Sequence, residues 1–165
     1  MQNYNRETIF LCGEHKWSIT GASFQDPNAN RMLGHMSHNT NIQVRFVDTD
    51  ALGHVNNSAF AHYAEDARIR FFQDLGGKLG HLILARLAID FRNQVHFGNE
   101  LTVTTQVANV GTSSIRLQQK IRSRLNDLAV AAEVESVVVY FDYQANHPIP
   151  VPEGLRKKLD PFRVI

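Results

Sequence analysis

The stretch Val44-Arg45-Phe46-Val47-Asp48-Thr49-Asp50-Ala51-Leu52-Gly53-His54-Val55-Asn56-Asn57 decides how the chain is read, because the hydrophobic period changes within it. On its upstream side Ile42, Val44 and Phe46 alternate with Gln43 and Arg45, the period of a half-buried strand that should end near Val47. Two acids follow, Asp48 and Asp50, then a flexible Gly53 and a histidine, His54. Asn56, Asn57 and Ser58 offer helix caps just before the period becomes helical. Carboxylates are thereby set beside a helix start.

Downstream, Phe60, Tyr63, Ala64, Ala67, Phe71 and Leu75 recur at three- and four-residue spacing, which predicts a helix from about Val55 to Leu75 with one buried stripe. Gly76-Gly77 should end it, since a left-handed cap asks for a residue without Cβ. Glu65 and Arg68 stand at i and i+3 and read as an ordinary helix pair rather than as a catalytic acid and its partner. Four strand-like segments follow, at roughly 81–92, 99–109, 113–124 and 128–142. Gly98-Asn99, Asn109-Val110-Gly111 and Asn126-Asp127 between them suggest hairpins and a four-stranded antiparallel meander. The unbroken run Val137-Val138-Val139-Tyr140-Phe141 points to burial on both faces, near the sheet centre or against a partner subunit. Pro148, Pro150 and Pro152 then precede a short basic helix, Glu153 to Leu159, read as a surface tail.

One strand, one long helix and four long strands give an α+β architecture in which a curved antiparallel sheet wraps a central helix, the hot-dog arrangement. The sheet must protect its edges, so edge-to-edge pairing into a homodimer or homotetramer is expected. The 165 residues, 43% hydrophobic, suit a single core, placed at 41–165. Residues 1–40 are rich in Asn, Gln, Ser, Gly and His and read as an arm or extension with few regular elements; Met32 and Met36 leave room for a later natural start. His35 and His38 in that arm are read as solvated. A net charge of +1 gives no reason to expect a nucleic-acid partner, and no segment is long and apolar enough for a membrane span. A lone Cys12 allows neither an internal disulfide nor a thiolate zinc site, which fits a cytoplasmic setting and no bound metal.

The run Arg45 to Asn57, followed by Phe60, Tyr63, Glu65 and Arg68, resembles the signature of the 4-hydroxybenzoyl-CoA thioesterase family of hot-dog acyl-CoA thioesterases. Ile89-Asp90-Phe91, Phe97-Gly98-Asn99-Glu100-Leu101, Val110-Gly111-Thr112-Ser113-Ser114 and Ile149-Pro150-Val151-Pro152-Glu153-Gly154-Leu155-Arg156 resemble later parts of that family in order and spacing. The likeness covers residues 41 to about 160. It implies hydrolysis of an acyl-CoA thioester, with acyl-carrier protein as the other carrier and coenzyme A as part of the substrate rather than a cofactor.

The resemblance also assigns roles. The second acid of the Asp-x-Asp pair, Asp50, maps onto the catalytic carboxylate, and a backbone N–H at the helix start, at about Asn57, onto the donor that polarises the carbonyl. Activation of water and direct attack by the carboxylate both satisfy these residues. His54 is assigned a supporting part in catalysis, Asn56 a place in substrate binding, and Asp48 a structural role in the turn. Ser113, Ser114 and Arg116 are the candidates for contact with coenzyme A, with Lys120, Arg122 or a partner subunit as further sources of positive charge. Gly53-His54-Val55-Asn56-Asn57 stands where aromatic-substrate members carry Pro and Tyr, and is similar to the branch that handles aliphatic acyl groups. Two other functions fit the residues: an acyl-thioester hydratase or dehydratase using Asp50 and His54 as acid and base, and a non-catalytic module that binds acyl thioesters for regulation.

Overall fold

The computed structural model describes residues 10–12, 15–17, 36–77, 79–124 and 129–164. The chain divides into two units, residues 1–33 and 34–165. In the first, β1 (Phe10–Cys12) and β2 (His15–Trp17) form an antiparallel pair. The other readings made for the first 35 positions, including His35 and a start at Met32, lie outside the described residues.

The second unit contains β3 (His38–Gln43), α1 (Asn57–Asp74), β4 (Leu82–Phe91), β5 (Glu100–Val110), β6 (Ser114–Ser123), β7 (Val130–Asp142), β8 (His147–Pro148) and α2 (Glu153–Leu159). The main sheet runs β3-β5-β6-β7-β4, all neighbours antiparallel, with the short β8 beside β7. It curls around α1, giving the hot-dog fold. β5 and β6 alternate buried and open positions along their length, the mark of a sheet with one face on a core.

That order corrects the expected meander. β5 and β6 are joined by a hairpin and β6 pairs antiparallel with β7, the turn expected at Asn126-Asp127 lying outside the described residues, but β4 pairs with β7 and not with β5. Eight residues separate Phe91 from Glu100, too many for a tight hairpin. They pass the start of α1 instead, where the Val55 N–H donates to the Val95 carbonyl at 2.8 Å and His54 bridges to His96.

The first strand also differs from its reading. It occupies His38–Gln43, and Phe46–Asp48 form a 3₁₀ turn that leaves Phe46 and Val47 more than three-quarters exposed. The cause is local: the Asp48 carboxylate accepts the Arg45 N–H at 2.9 Å and folds the chain back after Val44. Side-chain period alone cannot detect such a turn. His38, expected in solvent, hydrogen-bonds Asp74 at 2.7 Å, and its ring lies 5.5 Å from that of Phe71.

Asn56 caps α1 by accepting the Ser58 N–H at 2.9 Å. At the other end Gly76, at φ 67°, donates to the Gln73 carbonyl while Gly77 donates to that of Phe72, the paired bonds of a Schellman turn. Two apolar groups share the length of the helix. Phe60, Tyr63, Ala64 and Ala67 pack with Val44, Val55, Val95, Leu101, Val103 and Ile121; Phe71 and Phe72 pack with Val107, Ile115, Leu117, Val138, Val151 and Leu159. Gln119, fully buried, spans to the helix by donating to the Ala64 carbonyl at 3.0 Å.

The C-terminal helix is correctly placed at Glu153–Leu159 but is no surface tail. Leu159 has no exposed surface, Arg156 donates to the carbonyls of Gly111, Thr112 and Val151, and the Lys158 ammonium caps α1 at the Leu75 carbonyl, 2.8 Å away. The run of apolar residues in β7 is half right: β7 lies inside the sheet, but Val137 and Val139 keep partial exposure on the outer face.

Candidate active site

Residues 49–55 form a closed loop. Thr49 bridges to Val55, the Asp50 N–H donates to the His54 carbonyl at 2.8 Å, and the Gly53 N–H returns to the Asp50 carbonyl at 3.0 Å. Gly53 sits at φ 79°, a conformation that a side chain would strain. Asp50 holds this loop from within: its Oδ1 accepts the N–H of Leu52 at 2.8 Å and of His54 at 3.2 Å. An Asx turn of this kind uses one oxygen. Among the described residues Oδ2 receives no hydrogen bond, so a carboxylate oxygen is left for chemistry.

Asp50 opens onto a cavity of about 280 Å³ lined by His54, Val55, Asn57, Phe60 and residues 91–95. Three of the expected catalytic residues, Asp50, His54 and Asn57, are therefore brought to one pocket. Asn57 is the first residue of α1, so its N–H is among the amides that have no acceptor within the helix, and it lies at the positive end of the helix dipole. An acceptor carrying negative charge is stabilised there. His54 stacks edge-on against His96, 4.9 Å between ring centres, and the His96 ring is hydrogen-bonded to the Gly53 carbonyl at 3.3 Å. The two rings buttress the turn that carries Asp50. Phe60 and Phe91, in edge contact at 5.4 Å, supply an apolar wall.

Asp48 is a structural residue. It is 6% exposed, and its carboxylate receives the Arg45 guanidinium at 2.8 and 3.2 Å, the Arg45 N–H, and the Tyr63 hydroxyl at 2.9 Å. The Arg45 side-chain hydrogen bond holds its carboxyl below the usual carboxylate range, while burial and then the bond to Asp48 push the Tyr63 hydroxyl up. The Asp48 carbonyl also accepts the Asn56 N–H at 2.8 Å, which ties this buried anchor to the helix start.

The expected substrate-binding residues are not gathered here. The Asn56 side chain is used by the cap, accepting both the N–H and the hydroxyl of Ser58. Ser113 and Ser114 sit in the hairpin between β5 and β6, where Ser114 pairs with Val139 and the Ser113 carbonyl accepts the Tyr140 N–H. In the sheet Tyr140 lies opposite Leu82, whereas the Asp50 pocket reaches the other end of β4, at Phe91. Nine residues of strand separate the two ends, about 30 Å. Arg116 is likewise on the outer face, within 3.7 Å of Glu135.

Sequence reasoning missed Phe91, Arg92, Asn93, Gln94, Val95 and His96. The signal was present: Arg92-Asn93-Gln94 is a polar interruption inside a connection already too long for a hairpin. Arg92 places a cation at the pocket, held by Glu133 at 3.0 Å.

Residues 44–159 match the model of the thioesterase-like superfamily. The chloroplastic acyl-acyl carrier protein thioesterase ATL3 of Arabidopsis thaliana is 24% identical over 133 residues, which are 76% of this chain and 68% of that protein. Among solved structures, a predicted thioesterase from Bacillus stearothermophilus superposes with a TM-score of 0.72 at 26% identity, covering 78% of this chain and 98% of the other. A thioesterase from Thermus thermophilus, complexed with coenzyme A and Zn, gives a TM-score of 0.67 at 33% identity over 73% of this chain and 90% of the other. No helix among the described residues is long and apolar enough to cross a membrane.

Proposed function

The chain belongs to the thioesterase-like superfamily and is a thioester hydrolase, and from this we propose that it hydrolyses aliphatic acyl-CoA to the free acid and coenzyme A. The observation that carries the reading is the shared pocket in which the Asp50 carboxylate and the N–H of Asn57 stand at the start of α1. This favours the hydrolytic branch of the 4-hydroxybenzoyl-CoA thioesterase-like proteins.

In the proposed reaction the substrate carbonyl oxygen accepts a hydrogen bond from the Asn57 N–H. Asp50 takes a proton from water, which attacks the carbonyl carbon. Negative charge then develops on the carbonyl oxygen, where the helix N-terminus stabilises it more than it stabilises the neutral ester. Collapse expels the thiolate of coenzyme A, which takes the proton back from Asp50, and the acid leaves. Direct attack by Asp50 would instead form a mixed anhydride with expulsion of the thiolate of coenzyme A, and water would then hydrolyse that anhydride, regenerating Asp50, releasing the acid and supplying the proton that the thiolate takes up. His54, through its N–H to Asp50 and its ring against His96, positions the carboxylate.

No cofactor is needed, coenzyme A being part of the substrate. Phe60, Phe91, Val55 and Val95 provide the wall for an apolar acyl group, and Arg92 is the cation within reach of a phosphate. Ser113, Ser114 and Arg116 contact coenzyme A only if a second subunit brings them to the pocket, so that role requires a homodimer or a homotetramer built from dimers. A cytoplasmic setting follows from the proposed substrate, and acyl-carrier protein, the carrier named for the Arabidopsis relative, is the alternative donor.

A screen of acyl-CoA and acyl-carrier-protein thioesters of varied chain length and aromaticity, read by free-thiol release, tests the reading. Highest kcat/KM on an aliphatic acyl-CoA is expected. Release only from aromatic thioesters, or only from the carrier protein, would overturn the assigned substrate.

A further inference from the structure

Four large apolar residues stand in water on the segments that flank the start of α1: Phe46, Val47, Leu52 and Phe97 are 76%, 77%, 79% and 60% exposed. Each occupies a corner of a tight turn. The Asp48 N–H donates to the Arg45 carbonyl at 3.0 Å around Phe46 and Val47, the Gly53 N–H to the Asp50 carbonyl at 3.0 Å around Leu52, and the Asn99 N–H to the His96 carbonyl at 3.2 Å around Phe97. Turn corners ordinarily carry Gly, Pro, Asn, Asp or Ser. Here they carry side chains that water rejects, and no turn depends on them. Asp48 and Asp50 brace the first two turns through their carboxylates, and Gly98, at φ 82°, allows the third.

The three turns are neighbours. The Phe46 and Phe97 rings meet edge to face with centroids 5.8 Å apart, and the His96 ring reaches the Gly53 carbonyl at 3.3 Å, which brings the turn of Leu52 beside that of Phe97. They also border the proposed reaction site, since Asp50, in one turn, and Val95, just before another, both line its pocket. Together the four side chains expose several hundred Å² of apolar surface, an extent that marks an interaction site on a single chain.

Charge and shape set the kind of partner. The Arg45 side chain is 68% exposed while its counter-ion Asp48 is 6% exposed, Asp50 opens into the pocket, and Glu100 is paired with Arg124 at 3.2 Å. The groups that border the tips on the outside are thus a cation and a neutralised pair. A protein partner presses on a face whose side chains lie packed against one another. Four side chains, each more than half bare and set on three separate corners, suit a fluid interface that closes around each of them.

We propose that these three turns are a lipid-surface contact: Phe46, Val47, Leu52 and Phe97 enter the boundary between headgroups and acyl chains of a bilayer, the Arg45 guanidinium stays at headgroup level, and the Asp50 pocket faces the membrane. Burial to about 5–10 Å is enough for such a contact and needs no spanning segment. A long-chain acyl thioester is an amphiphile that gathers at the same boundary, and its chain then passes from lipid to the Phe60 and Phe91 wall without crossing water. That last consequence rests on the acyl-thioester reading of the pocket; the contact itself does not.

Co-sedimentation of the full chain with phosphatidylcholine vesicles tests the contact independently of catalysis. Wild type is expected to bind, and to bind equally at low and high salt, because apolar insertion is not screened. Phe46→Ser and Phe97→Ser should each weaken binding by about 10-fold or more, and Phe46→Ser/Val47→Ser/Phe97→Ser should abolish it. Tyr143→Ser, at an exposed aromatic on the turn after β7, should bind as wild type. Absence of binding, binding only to anionic vesicles with loss at high salt, or an equal loss in Tyr143→Ser overturns the proposal. So does a wild type that ignores vesicles but self-associates, or holds acyl-carrier protein, through Phe46 and Phe97. Thiol release on the same samples separates the two conclusions. Wild type and Phe46→Ser should match on butyryl-CoA without vesicles, and only wild type should gain on palmitoyl-CoA when vesicles are added. A protein that binds vesicles as described but releases no thiol from either overturns the substrate reading alone; one that hydrolyses both but ignores vesicles overturns the surface contact alone.

Discussion

The Tyr63 hydroxyl donates to the Asp48 carboxylate at 2.9 Å across fifteen residues of chain, joining the middle of α1 to the turn that precedes the Asp50 loop. With the Arg45 guanidinium on the same carboxylate, this buried triad fixes where the strand stops and the loop begins. Removing the hydroxyl as Tyr63→Phe should cost about 1.5–3 kcal/mol, the range for a hydrogen bond to a charged group. The pH dependence follows from the shifts. Asp48 is held below its unfolded value, so its contribution is present above about pH 4 and is lost as pH falls through the folded value. Tyr63 is held above its unfolded value, so its contribution is complete below about pH 10 and is lost as pH rises past it. Urea titrations of wild type and Asp48→Asn between pH 3 and 7 should converge at the acid end; curves that stay parallel would remove Asp48 from the acid limb.

The turn that Asp50 holds and the chemistry proposed for it can be separated. Asp50→Asn keeps a side-chain oxygen for the N–H groups of Leu52 and His54, so it should preserve Tm while lowering kcat by about 10²–10⁴-fold, the range for loss of an acid–base group. Asp50→Ala should lose the turn as well and fall in both. Wild-type turnover in Asp50→Asn would exclude the carboxylate from the chemistry.

Asn56 is placed in the helix cap rather than against the pocket. Asn56→Ala is expected to cost about 1 kcal/mol, and Asn56→Asp to retain most of the stability because the cap acceptor survives. If capping is its whole role, KM should move little in Asn56→Asp. A large rise in KM with unchanged Tm would return it to substrate binding.

Leu159 tests the reassignment of the C-terminal helix. Leu159→Ala should destabilise by about 2–5 kcal/mol, as for a fully buried core leucine. A surface helix would give less than about 0.5 kcal/mol. Denaturant midpoints at constant m-value decide between them.

Much of the site was legible because its residues are neighbours in sequence: Asp50, His54 and Asn57 are brought together by one short loop running into a helix, and the loop's own hydrogen bonds make the geometry. The part that escaped, Phe91 to His96, comes from a distant connection whose path is set by packing against that loop. Asp48 shows the same limit from the other side, since its charge partner Arg45 is near in sequence but Tyr63 is not.

By itself the sequence determined the helix, its caps at Asn56 and Gly76, the long strands and the position of the carboxylate, because each depends on periodicity, backbone freedom or local hydrogen bonding. Only the tertiary structure decided that β4 crosses to β7 and forms an apolar edge, that Leu159 enters the core, and that Ser113 and Ser114 lie near the Leu82 end of β4 while the Asp50 pocket reaches its Phe91 end. Those outcomes depend on which distant surfaces bury each other, and a hydrophobic pattern states that a face must be covered without stating by what.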